Sequence, residues 1–270
     1  VAYSSYLDLP EIEMPENTLI DFAAYARNYD HYIYDEQSKK NRGYYKVLRE
    51  WLKKFNGDIS IYLYYRKYAW MSRPVIIPHF MQHEMQHYHS IGVKGISTYA
   101  EPADWFTYGL NHYCLASTAW DLEAQQDKLI DRYSDICYRD GAEPAKKVYK
   151  SLEKIARKAS GILNHKLKTA KEYENWLSEL TKLRKNLSAK TAGFETVTRM
   201  HLEKLELLVE YLIKDVRINH YRAMKKPVEQ RRPIADEIHQ LFLDYPYNGT
   251  LLVHMRLSDK HLYRFFNCRK

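Results

Sequence analysis

Five consecutive residues, His83-Glu84-Met85-Gln86-His87, fit the pattern H-E-x-x-H. In that pattern two histidines one helical turn apart chelate zinc and the glutamate activates the bound water. Alone, it points to a zinc metallopeptidase with His83 and His87 as ligands and Glu84 as base. The longer signature of one subclass requires Gly three residues after the second His and another His further on. Ser90 holds the glycine position and Gly92 lies in the stretch leading to the missing His. A third ligand could come from Glu101 or Glu123. The helix carrying the motif has an apolar stripe of Ile77, Met81, Met85, Tyr88 and Ile91, and at about 100° per residue His83 and His87 fall near the opposite side. The pair therefore reads as surface histidines of a helix covering a sheet. No cofactor is expected, with zinc kept as the alternative.

A different chemistry gathers around Glu101. It follows the strand-like run VKGISTYA (93–100) and precedes Pro102, which stops a strand. In α/β barrels the carboxyl ends of the strands hold the active site, and glycosidases place their acid and base carboxylates there. Tyr99 and Trp105 flank this position, and Tyr64 and Tyr65 end the preceding strand-like run; such rings suit stacking on sugars.

Short β-type runs alternate with helical ones over the first 120 residues, the order of βαβ units and a parallel sheet. Strands are expected at 1–7, 17–26, 58–68 and 93–100. An amphipathic helix over 43–55 has Tyr44, Val47, Leu48, Trp51, Leu52 and Phe55 on one side and stops at Gly57. A second helix ends at Ser90-Ile91-Gly92, and a third, apolar nearly all round, covers 103–120. Asp121 is placed to cap the next helix. Helices then fill 143–160, 170–188, 195–224 and 228–243, and 249–257 could be a lone strand.

Several of these segments resemble a bacterial barrel family, domain-of-unknown-function family 4838, and more distantly the α-glucuronidases. The matching stretches are VAYSSY at the start, ARNYDHYIYDE (26–36) with Asn41-Arg42 and the Trp51 helix, GVKGI (92–96), and DWFTYGLNHYCLASTAWD (104–121). Leu122 departs from the Pro that often follows the Trp-Asp pair. The resemblance spans roughly residues 1–150. It implies the C-terminal half of a (β/α)8 TIM-type barrel of the glycoside-hydrolase superfamily, with the upstream half missing, acting on or binding a carbohydrate. Arg27, Asp30 and His31 match the family loop and Glu101 its post-strand carboxylate. On this reading Glu101 is general acid or base, Asp30 a second carboxylate, and Arg27 or His31 orients the sugar together with Tyr64, Tyr65, Tyr99 and Trp105. A saccharide-binding or interaction module without chemistry is the other reading.

Charge divides the chain. Residues 1–140 hold 15 Lys and Arg against 19 Asp and Glu, whereas 141–270 hold 27 against 15. The expected domains are therefore a partial barrel over 1–141 and a basic, all-helical region over 142–270. The basic residues are interspersed with Glu and form no aromatic groove, so nucleic acid is not the expected partner. No apolar run approaches the ~18 residues of a membrane span, and the three cysteines are widely spaced. A cytoplasmic fragment is expected, its open sheet edges favouring a homodimer or cover from the helical region.

Overall fold

The computed structural model describes residues 1–100, 104–159, 167–191, 193–243, 263, 266 and 268. It is mixed α/β, mostly helical, with one four-stranded parallel sheet. The chain divides into two compact units: Val1–Lys67, His79–Ala100 and Leu115–Ala124 form one, and Tyr68–Pro78, Glu101–Cys114 and Gln125–Lys270 the other.

The first unit holds the sheet. Strands β1 (Ala2–Tyr3), β2 (Leu19–Ala23), β3 (Asp58–Leu63) and β4 (Gly95–Thr98) lie side by side in sequence order. Phe22 pairs with Ala2 on one side and Ile61 on the other, and Ile61 in turn pairs with Ile96. Helix α1 (Lys39–Lys54) connects β2 to β3, and α2 (Pro78–Ser90) connects β3 to β4. Parallel crossovers are almost always right-handed, which puts both helices on the same sheet face. Alternate strand residues supply that face: Ile20, Phe22, Ile59, Ile61 and Leu63 are buried, as are Leu48 and Trp51 of α1 and Met81, Met85 and Tyr88 of α2. The residues between them are polar. Asp21 accepts hydrogen bonds from the hydroxyls of Ser60 on the adjacent β3 and of Ser97 on β4, one strand further on.

Local chemistry sets the element ends. Helix α1 begins before the expected Gly43, because Ser38 caps it by accepting from the backbone N–H of Asn41. Gly57 is required where the chain turns into β3, since a Cβ there would collide with the carbonyl oxygen of Thr18. After α2, Gly92 adopts φ +98°, open to glycine at little cost.

The second unit is helical: the first part of α3 (Trp105–Trp120), then α4 (Gln126–Tyr138), α5 (Ala142–Ala159), α6 (Ala170–Thr191), α7 (Thr196–Ala223) and α8 (Val228–Leu243). The apolar stripe of α5, comprising Val148, Leu152, Ile155 and Ala159, is buried, as are Leu205, Leu208, Leu212 and Val216 of α7. Segment 68–78 joins this unit through polar anchors. Arg73 forms a fully buried ion pair with Asp215 at 3.0 Å, and Tyr211 and Tyr108 donate to the carbonyls of Met71 and Arg73. The cap of α4 is Gln125 rather than Asp121, whose carboxylate instead takes the Glu123 N–H in a preceding turn. The expected strand at 249–257 lies outside the described residues. Among the described residues no helix is long and apolar enough to cross a membrane.

Candidate functional site at the carboxyl ends of the strands

Each strand delivers one tyrosine to the carboxyl edge of the sheet. Tyr3 ends β1, Tyr25 lies two residues past β2, Tyr64 directly follows β3 and Tyr99 directly follows β4. Their rings make a continuous row: Tyr3 to Tyr25 at 5.9 Å, Tyr25 to Tyr64 at 4.9 Å, and Tyr64 to Tyr99 at 6.1 Å between centroids. Tyr62 adds a fifth ring, 5.0 Å from Tyr64. The row is open to solvent, with Tyr3 and Tyr25 39% and 36% exposed and Tyr64 and Tyr99 half-buried. Partial burial, followed by the neighbouring Tyr3, pushes the Tyr64 phenol up to about 12, so its hydroxyl is neutral at physiological pH.

Behind this row stand cations. Lys67 is 8% exposed; its ammonium lies 4.7 Å from the Tyr25 centroid and 4.6 Å from that of Tyr29, and donates to the Tyr25 carbonyl. Burial above all, then the charges of Arg27 and Lys40, lower the Lys67 amine to about 7. Arg66, also buried, sits 5.6 Å from the Tyr99 ring centroid.

The loop after β2 is held by two buried polar centres. Asn41, on the first turn of α1, accepts from the N–H of Asn28 and donates to the carbonyls of Asn28, His31 and Tyr32. Glu84, on α2, is fully buried. One of its oxygens takes Arg27 Nη2 at 2.6 Å and the N–H of Ile33 at 2.8 Å, and the other takes the Tyr65 hydroxyl at 2.9 Å. Arg27 also donates to the Tyr88 hydroxyl at 3.1 Å and stacks 4.5 Å from the Tyr29 centroid. Burial is the largest single influence and works against the Arg27 charge, but Glu84 and, after it, Tyr88, Tyr29 and Tyr65 together outweigh it and hold the guanidinium above its ordinary value.

This places the expected site residues. Tyr64 and Tyr99 stand together in the open row. Tyr65, next along the chain, points to the other side of the strand end, where it is buried against Glu84. Arg27 is 4% exposed, with both terminal nitrogens engaged by Glu84, Tyr88 and the His31 carbonyl. Asp30 and His31 are half-buried on the same loop. His31 Nδ1 lies 2.7 Å from an Asp35 oxygen and Nε2 3.6 Å from one of Asp30, and the bond to His31 lowers the Asp35 carboxyl. Trp105 belongs to the second unit, half-exposed, with its ring stacked 4.9 Å from His112. Glu101 lies outside the described residues.

Sequence reasoning did not single out Tyr3, Tyr25 or Lys67. The expected strands 1–7 and 17–26 run past both tyrosines, whereas β1 stops at Tyr3, where Ser4–Tyr6 turns into a short 3-10 helix, and β2 stops at Ala23, which leaves both rings at the strand ends. For Lys67 there was no signal, because a lysine four residues past a strand is ordinarily solvated.

The H-E-x-x-H residues are in other employment. His83 is exposed, hydrogen-bonded to the Tyr34 hydroxyl and 4.4 Å from the Tyr32 ring centroid. His87 is half-buried beside Tyr34 and bonds the Tyr45 hydroxyl at 3.1 Å, and burial lowers its pKa. Glu123 receives the Gln86 amide. Among the described residues no three His, Cys, Asp or Glu side chains gather as a metal site. Glu84 has both oxygens occupied inside the core and none facing the histidines' solvent side.

The model of the family described as Domain of unknown function (DUF4838) matches residues 1–151. The chain belongs to this family. The match covers the sheet, α1 to α4, and more than half of α5, so the tyrosine row and the Arg27–Glu84 centre both fall inside the DUF4838 region. No curated protein and no solved structure matches the chain.

Proposed function

We propose that this DUF4838 chain is a carbohydrate-active protein, a glycoside hydrolase-type (β/α) barrel of which the four parallel strands here are half of the ring. The observation that carries the reading is the row of open tyrosine rings, one per strand, along the carboxyl edge of the sheet. Sugar rings present apolar C–H faces that stack on such aromatics while their hydroxyls bond the phenols. Sequential strand order with both crossover helices on one face is the winding of a singly wound barrel, in contrast to doubly wound sheets, which reverse order at a switch point. The polar ladder of Asp21, Ser60 and Ser97 would then face the barrel interior.

In this reading Glu101, two residues after Tyr99 in the sequence, is the acid or base and Asp30 the second carboxylate, with His31 and Trp105 as further sugar contacts. Arg27 and Tyr65 hold the loop that carries Asp30 and leave sugar contact to Tyr64 and Tyr99. The zinc peptidase reading loses its base, since Glu84 is committed to Arg27. Titration calorimetry with a panel of oligosaccharides tests the proposal. Binding that weakens up to about tenfold in Tyr64→Ala and in Tyr99→Ala is expected, from the ~0.5–1.5 kcal/mol a stacked ring contributes. Absence of binding by any saccharide would overturn it. Hydrolysis of a bound glycan, lost in Glu101→Gln, separates an enzyme from a binding module.

A further inference from the structure

The charges behind the tyrosine row do not balance. Arg27 has Glu84, its oxygens shared with Ile33 and Tyr65. Lys67 is more than nine-tenths buried, and its contacts are the Tyr25 carbonyl and the faces of Tyr25 and Tyr29, with no carboxylate paired to it among the described residues. The groups acting on it are Arg27 from the loop after β2, Lys40 from α1, and these two tyrosines. Two are cations and none is an anion at neutral pH. A buried ammonium with like charges nearby costs stability, and burial has already lowered its affinity for a proton to about 7. Perturbed buried cations of this kind cluster at functional sites, where a ligand can supply the missing charge.

We infer that Lys67 is an anion-binding point of the strand-end site, taking a carboxylate, sulfate or phosphate ester borne by the saccharide that stacks on Tyr25 and Tyr64. The inference rests on the carbohydrate reading for the stacking but not for the charge. The anion displaces the weak carbonyl acceptor, forms a charge-assisted hydrogen bond with Nζ, and fixes the ammonium form. Tyr25 then serves twice, as part of the stacking row and as one wall of the cation. Binding takes up a proton above pH 7, so affinity should fall as the pH rises from 7 to 9 while Arg27 and Lys40 stay charged throughout.

The test is calorimetry on the full chain with galacturonate, glucose 6-sulfate, glucose 6-phosphate and glucose, alongside acetic anhydride labelling of lysines read by mass spectrometry with and without sodium sulfate. At least one anionic sugar should bind about tenfold to a hundredfold tighter than glucose. Lys67→Met should remove that preference. Lys67→Arg should keep it while abolishing its pH dependence, a pattern a merely structural lysine would not give. The sugar that wins names the source of the anion. Glucose binding as well as every anionic sugar, unchanged in Lys67→Met, would overturn the inference and leave the carbohydrate reading standing. If no sugar binds, the carbohydrate reading fails, and the anion site then stands only if sulfate slows acetylation of Lys67 selectively.

Discussion

Replacing Glu84 by glutamine isolates the most consequential buried interaction in the sheet unit. The Glu84→Gln side chain would keep the volume and one oxygen for Arg27 or Ile33, but its amide would face the Tyr65 hydroxyl. The Arg27 guanidinium, 3% exposed in its side chain, would lose its only carboxylate among the described residues. Breaking one partner of a buried pair costs about 3–5 kcal/mol, because the remaining charge stays desolvated. That is a large share of the roughly 5–15 kcal/mol that holds a domain together. Equilibrium urea unfolding followed by circular dichroism should show this loss. The double variant Arg27→Met/Glu84→Gln, which removes both charges, should recover most of it. A Glu84→Gln protein within about 1 kcal/mol of the parent, or a double variant no better than the single, would refute the anchoring role. The zincin reading makes the opposite demand, since a catalytic base facing solvent can be neutralised with little effect on stability.

Stability should also report on Lys67. Its folded pKa of about 7 lies below the ordinary lysine value, so between pH 7 and 9 the unfolded chain holds more protons and stability rises with pH, by up to ~2–3 kcal/mol. Urea midpoints across this range should flatten in Lys67→Met; an unchanged slope would count against the shift. Asn41→Ala removes four hydrogen bonds to the loop after β2 and should expose residues 26–38 to limited proteolysis while leaving the sheet folded, as seen in the cleavage map. Gly57→Ala should destabilise by at least ~2 kcal/mol, because the new Cβ meets a backbone oxygen rather than a side chain that can swing away. Elemental analysis of the purified chain should find less than one zinc per molecule, and one zinc lost in His83→Ala would revive the metal reading.

Local pattern carried much of this protein. The alternation in Ile20, Phe22, Ile59 and Ile61 matches the buried faces of two strands, and helices α1 to α8 lie near where apolar spacing puts them, although α1 starts four residues earlier, at Lys39, and α4 is capped at Gln125 and not at Asp121. Family membership was legible from several short segments in order. Period and propensity are properties of neighbours in sequence, so they can be read without knowing what packs against what. They also indicated that His83 and His87 face away from the core. Their limit shows at Glu84, which shares the helix face of Met81 and Tyr88 and so occupies a core position. A charge there makes sense only with Arg27, 57 residues away in sequence. Lys67 is the same case. Nothing in the stretch Tyr65-Arg66-Lys67 distinguishes a solvated lysine from one enclosed by Tyr25 and Tyr29, and only the folding of β2 against β3 makes it a buried cation. Which residues form elements is decided by local sequence; which charges are compensated depends on partners brought together from distant segments, and the tertiary structure alone decides that.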